Sequence, residues 1–194
     1  MTRPDRHAER RARTRENLRR HALRMFLTEG YEAATVERIA AAAGVSHMTF
    51  FRHFPTKEAV VFADDYDAML EAAILARPAA EPPLEAVRRA LVGAMRGFGP
   101  AEMEAVAART RLVKDTPALR NRIWENEYRA QQHIAAALAQ RAGLPEPGLR
   151  LSVLAAAAQA ALLTALWAWA DDTDAQPLAD VVDAAFAALI NKQS

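Results

Sequence analysis

The stretch GVSHMTFFRHFPTKEAV, residues 44–60, gathers His47, His53, Phe50, Phe51, Phe54, Arg52 and Lys57. Such a set could ligate a metal, fill a core or lie on a polyanion. His47 and His53 are six residues apart, on nearly opposite sides of a helix, so a shared metal is disfavoured. Phe50 and Phe54 read as the aromatic filling of a small core. His47, Met48, Thr49, Phe51, Arg52 and His53 are left facing outward, on a helix that fits a DNA major groove about 12 Å wide. Ser46 and Thr35 each stand at a helix start, where free N–H groups favour phosphate.

Other chemistries lack their signatures. There is no cysteine, hence no thiolate or disulfide chemistry, in keeping with a reducing cytoplasm. The sequence has no Gly-rich phosphate loop, HExxH or GxSxG. The runs DDYD (64–67) and DDTD (171–174) lack the Gly and terminal Glu of a calcium loop. They read as solvated charge at a helix start and in a loop. The reading therefore calls for no enzyme activity, no metal and no cofactor. The net charge of +1 conceals an asymmetry. Up to Val60 there are 12 basic and 7 acidic residues, a net of +5, and the remainder carries 13 against 17, a net of −4. A basic head on an acidic body suits a polyanionic partner, although an Arg-rich solvated tail has the same composition.

The elements that must position these groups are helices. Alternating β-branched runs and hairpin turns are missing, and 3.6-residue periodicity recurs between breakers. The pattern predicts an all-α fold of about nine helices, with a head at 1–60 and a body at 61–194. Residues 1 to about 12 are expected to fray. A first helix follows over 13–29, with Leu18, Ala22, Met25 and Phe26 on its apolar stripe. Arg11, Arg15 and Arg19 form another face of that helix, which would also suit plain solvation. Thr35 caps a helix to Ala42, Gly44 turns the chain, and Ser46 caps a third helix to His53. Thr56 is expected to start one helix running to Arg77, before the Pro-rich linker RPAAEPP (77–83). Five more helices are expected over 84–98, 101–113, 117–141, 149–170 and 177–190. The apolar run 153–170 approaches membrane-spanning length, but Gln159 and Thr164 interrupt it, and it reads as a buried helix with no membrane role. The N-terminus lacks the apolar segment of a secretory signal.

TVERIAAAAGVSHMTFFRHFPTKEAV resembles the DNA-binding domain of TetR-type transcriptional regulators. The resemblance covers residues 14–60 and rests on Gly30-Tyr31, Thr35-Val36, Ile39-Ala40, Ala43-Gly44-Val45-Ser46, Thr49, Phe50-Phe51, His53-Phe54 and Lys57-Glu58. It implies a helix-turn-helix that reads double-stranded DNA at a palindromic operator. His47, Met48 and Thr49 would face base edges. Thr35, Ser46, His53 and Lys57 would hold phosphates, Arg13 and Arg15 would reach backbone or minor groove, and Arg52 could do either. Two departures stand out: Met48 where Gly is common, and Phe51 where Tyr is common. Phe51 has no hydroxyl to give a phosphate, and Met48 could touch thymine methyls.

The family's body binds a small molecule and dimerises. For a ligand pocket the apolar candidates are Phe62, Tyr66, Met69, Met95, Phe98, Met103, Trp124 and Tyr128, with Arg111 and Gln159 as polar anchors. Each is also a plausible core residue. Residues 108–144 resemble the C-terminal domain of MftR-like members, which implies a hydrophobic, acyl-CoA-like effector carrying an acidic group. The apolar faces of the last two helices, including Leu162, Leu163, Leu166, Trp167 and Trp169 on the first, suggest a homodimer built on a four-helix bundle. The reading is a cytoplasmic, homodimeric repressor released by its effector, with Leu70 and the 56–77 helix as relay. The alternative is an architectural DNA-binding protein without an effector.

Overall fold

A computed structural model describes residues 6–63 and 66–190. All described elements are helical: α1 (Arg6–Glu29), α2 (Val36–Ala42), α3 (His47–His53), a 3-10 turn (Glu58–Val60), α4 (Tyr66–Leu75), α5 (Pro83–Arg96), α6 (Pro100–Asp115), α7 (Pro117–Arg141), α8 (Leu149–Asp171) and α9 (Leu178–Ile190). The all-α expectation therefore stands. The expected fraying of residues 1–12 does not: α1 begins at Arg6, and residues 1–5 lie outside the described residues. Asp64 and Asp65 of the DDYD run lie outside them as well.

Local chemistry sets the head. Thr35 caps α2 by accepting from the Arg38 N–H, and Ser46 caps α3 by accepting from the Thr49 N–H. Between them the chain reverses at Gly44, whose φ of 70° lies in the left-handed region. The Gly44 N–H donates to Ala41 O and the Val45 N–H to Ala40 O, both at 3.0 Å. This paired closure satisfies carbonyls that the end of α2 would otherwise leave open. Leu18, Ala22, Met25 and Phe26 of α1 meet Ile39, Ala40, Phe50 and Phe54 in the head's core.

The segment 56–77 departs from expectation. It forms a 3-10 turn and a separate α4 rather than one helix. Val60 and Val61 plug the head's core, whereas Tyr66, Leu70 and Ile74 belong to the body's. One straight helix cannot serve both cores. In the body, α8 packs on α5, α6, α7 and α9. It is long and apolar enough to cross a membrane, yet one side of it lies in the body core through Leu151, Ala155, Ala158, Ala161, Ala165 and Trp169. Trp169 is buried there, and Leu162, Leu163, Leu166 and Trp167 face a cavity. These residues, expected on the pairing face, are thus committed inside the chain. The outward stripe of α8 is instead Leu149, Val153, Ala160, Thr164 and Ala168, with Leu189 and Ile190 exposed on α9.

Candidate nucleic-acid interface and internal cavity

On α3, His47, Met48, Phe51 and Arg52 are exposed, and Met48 is 62% accessible. Phe50 beneath them is fully buried and anchors the helix through tilted and edge contacts with Phe54 and Phe51. Ser46, Thr49 and Arg52 form one chain along the helix: Ser46 Oγ lies 3.0 Å from Thr49 Oγ1, which accepts from Arg52 Nη2 at 3.0 Å. Thr49 is half-buried, so this chain holds Arg52 over the same surface. Arg13 and Thr35 are exposed as well. His53 is partly covered. Burial first, then Arg11, Arg15 and Arg52, push its pKa below the ordinary 6.5.

Two of the expected DNA contacts have internal partners. Arg15 Nη1 donates to His53 O at 2.8 Å, and its guanidinium lies 4.6 Å from the Phe54 ring centroid. Asn17 Nδ2 donates to Ala43 O at 3.0 Å. Together these fasten α1 to both ends of the recognition segment. Lys57 is half-buried: Nζ donates to Tyr31 O and stands 4.1 Å from the Tyr31 ring centroid. Burial lowers its pKa despite Glu32 and Glu58 nearby. Tyr31 Oη donates to Glu58 Oε1 at 2.6 Å. Burial raises the Tyr31 pKa, and that hydrogen bond adds to it. Burial also pushes Glu58 upward, but hydrogen bonds from Tyr31, its own backbone and Thr56 outweigh it, and the carboxylate stays below its usual range. The Lys57-Glu58 pair thus ties the start of α2's approach loop to the 3-10 turn.

The body contains a cavity of about 190 Å³. Of the expected ligand residues, Phe62, Tyr66, Met69, Met95, Phe98 and Gln159 line it. Four do not. Met103 packs against the body core, and Arg111 is exposed with Nε donating to Ala170 O at 2.9 Å. Trp124 and Tyr128 are 79% and 65% exposed on α7. The reason is helical phase: α7 buries Leu119, Ile123, Glu127, Ala130 and Ile134, and Trp124 and Tyr128 sit one residue round from that stripe.

The phase that turns those aromatics outward turns Glu127 inward. It is 8% exposed and lines the cavity, and Gln159 Nε2 donates to its Oε1 at 3.1 Å. Burial raises the Glu127 pKa, and the Gln159 hydrogen bond only partly offsets this. Arg109, Thr110 and His133 also line the cavity, with Arg109 over the Tyr66 ring at 5.2 Å. The sequence carries a signal for Glu127, namely a carboxylate at a core position of an otherwise regular apolar stripe.

The cavity's upper wall is shared with the head. Val61, Val113 and Ile123 line it and also belong to the head's core cluster, with Phe62, Leu163 and Trp167 packed against that cluster.

A basic helix-turn-helix seated on a hollow helical body is the arrangement of a DNA-binding regulator. Residues 18–63 match the family described as "Bacterial regulatory proteins, tetR family", and residues 81–193, over half the chain, match the "MftR C-terminal domain". The chain therefore belongs to the TetR family of transcriptional regulators. It is 39% identical over 142 residues to the HTH-type transcriptional regulator TcmR of Streptomyces glaucescens, covering 68% of this chain and 62% of that protein. Less than two thirds of that relative is thus represented. The fold is also that of Thermus thermophilus FadR, solved in complex with lauroyl-CoA (TM-score 0.53, 23% identity, 93% of this chain and 96% of that one). The SmeT–triclosan complex shares it too (TM-score 0.58, 18% identity, 90% of each chain); SmeT is the repressor of a Stenotrophomonas maltophilia multidrug efflux pump.

Proposed function

We propose that the protein is a cytoplasmic, homodimeric repressor that binds a palindromic operator through paired α3 helices and leaves it when a small hydrophobic effector enters the body cavity. The observation that carries this reading is the common wall: Val61, Val113 and Ile123 touch both the cavity and the head's core. A ligand that moves this wall acts directly on the packing that sets the head's angle. The relay then runs through the ends of α6 and α7 and the 3-10 turn, with α4 and Leu70 as one side of the cavity. The direct base-reading set is His47, Met48 and Thr49, with Ser46, Thr35, Arg52, His53 and Arg13 on phosphates. Arg15 and Lys57 act chiefly by holding the head together.

Pairing uses the outward stripe of α8 with the exposed end of α9, where Ala160, Ala168 and Ala188 permit close approach. Two-fold DNA binding asks for such a dimer. At about 190 Å³ the cavity is smaller than the roughly 300–1,000 Å³ of drug-sized ligand sites. It suits a compact molecule, or the acyl end alone of an acyl-CoA-like effector. The architectural alternative has no use for a cavity against the DNA-binding head.

Selection from a random duplex pool, with affinities at two salt concentrations, tests this. A palindrome is expected, bound less well by His47→Ala while affinity for a scrambled duplex is unchanged. Sequence-blind, salt-sensitive binding alone would favour the architectural alternative.

A further inference from the structure

We infer that the body cavity selects a compact lipophilic cation, a protonated amine on an aromatic or alkyl frame, with Glu127 as its counter-ion and Gln159 as the residue that orients Glu127. This rests on the reading of the cavity as a ligand site and names the chemistry of that ligand.

Three observations converge. Glu127 lies on a core position of α7, 8% exposed, and among the described residues receives one hydrogen bond, from Gln159. Among the described residues it has no ion-pair partner, so its second oxygen is left for a donor from the cavity. Buried carboxylates are costly unless paired. A cation arriving inside the cavity relieves that cost, whereas an acid adds to it. Burial already holds the carboxyl above its usual pKa, in keeping with a missing counter-ion.

The walls suit the same ligand. Phe62, Tyr66, Phe98 and Trp167 line the cavity, and ring faces attract cations most strongly when desolvated. Tyr66 already carries the Arg109 guanidinium on its ring, which leaves Phe62, Phe98 and Trp167 as the aromatic walls for a ligand. The acidic lining residues are Asp67, Glu71 and Glu127. Against these stand Arg109 and His133, and Arg109 is engaged at Tyr66.

The test uses three probes of one shape and different charge: 3-phenylpropylamine, 3-phenylpropan-1-ol and 3-phenylpropanoate. Binding to the full-length protein is read by calorimetry and by tryptophan fluorescence, since Trp167 lines the cavity. The amine is expected to bind at least tenfold more tightly than the alcohol, and the acid most weakly. Glu127→Gln is expected to bring amine and alcohol within about threefold of each other. Equal affinities, an acid that binds best, no binding by the amine, or a ranking unchanged in Glu127→Gln would each overturn the inference. The wild-type ranking decides the matter even if the variant folds poorly. Operator release is scored separately. Glu127-dependent amine binding without release would sustain this inference and count against the repressor reading. Release by the acid with no affinity for the amine would do the reverse.

Discussion

Replacing Lys57 with Met separates two roles that the sequence leaves merged. A phosphate contact and an internal clamp both call for a cation at this position. In the structure Nζ donates to Tyr31 O and lies 4.1 Å and 5.6 Å from the Tyr31 and Phe26 ring centroids. A hydrogen bond from a charged donor contributes about 1.5–3 kcal/mol, and a cation on an aromatic face about 0.5–2 kcal/mol. Lys57 is only half-buried and its ammonium is partly desolvated, so the lower ends apply, about 2 kcal/mol in total. Met keeps the aliphatic stem over the rings, so the loss isolates the charge. For a chain of this length that is a fall of about 4–8 °C in unfolding temperature. Circular dichroism melts measure it. The slope of log affinity against log salt on a duplex measures the other role, because a lost phosphate contact lowers that slope by about 0.9. The expected result is a lower melting temperature with an unchanged slope. An unchanged melting temperature with a slope smaller by about 0.9 would refute the reasoning and return Lys57 to the DNA surface.

Three further outcomes are expected. Gly44→Ala should destabilise the head by about 1–2 kcal/mol, read by denaturant titration, because φ is 70° there while no atom lies within 4 Å of an added Cβ; no loss would mean the left-handed turn is not enforced. Glu127→Gln should change the pH profile of stability. The native Glu127 pKa is raised above the ordinary 4.5, so the folded chain binds more protons and the wild type loses stability as pH rises through that raised value. The melting temperature of the variant should therefore gain on the wild type as pH rises above the ordinary 4.5, and a constant or shrinking difference would contradict the burial argument. Val153→Asp should yield a monomer by light scattering, with monomer stability changed by no more than about 0.5 kcal/mol because the side chain is exposed; an unaltered dimer would place the pairing face elsewhere.

What could be read from the sequence was local. Thr35, Gly44 and Ser46 act within three or four residues of themselves, and the cap and turn they predict are the ones that form. The apolar stripe of α1 is equally local, since helical spacing alone brings Leu18, Ala22, Met25 and Phe26 together. The break after Thr56 was not legible, because no Gly or Pro falls between Thr56 and Arg77. Two separate cores claim the two ends of this segment, Val60 and Val61 in one and Tyr66, Leu70 and Ile74 in the other. In the cavity, residue type misled where phase would have served. Trp124 and Tyr128 look like ligand walls by composition, whereas Ile123, Glu127, Ala130 and Ile134 keep the register of the buried side. Leu162, Leu163, Leu166 and Trp167 likewise seem too apolar for a monomer until the cavity beneath them is known. The proposed pairing stripe of α8 is Ala and Thr apart from Leu149 and Val153, so it carries less hydrophobic signal than the cavity side of the same helix.

The shared wall also sets the scale on which regulation has to work. A tenfold loss of operator affinity needs about 1.4 kcal/mol of coupling, and allosteric couplings commonly span about 1–3 kcal/mol. Interior packing makes that range accessible, because a displaced or strained core side chain costs about 1–3 kcal/mol. Val61, Val113 and Ile123 are all nine-tenths or more buried, so a ligand that pushes on them cannot be absorbed by solvent. The head's other restraints, Arg15 to His53 O and Asn17 to Ala43 O, fix α3 to α1 rather than to the body. Under the proposed mechanism the head would move as one piece when the wall shifts, changing the angle between paired heads while each recognition helix keeps its shape. On this arrangement an effector weakens operator binding by repositioning intact reading surfaces. It would leave the residues proposed to read bases, His47, Met48 and Thr49, in the same local geometry with and without ligand.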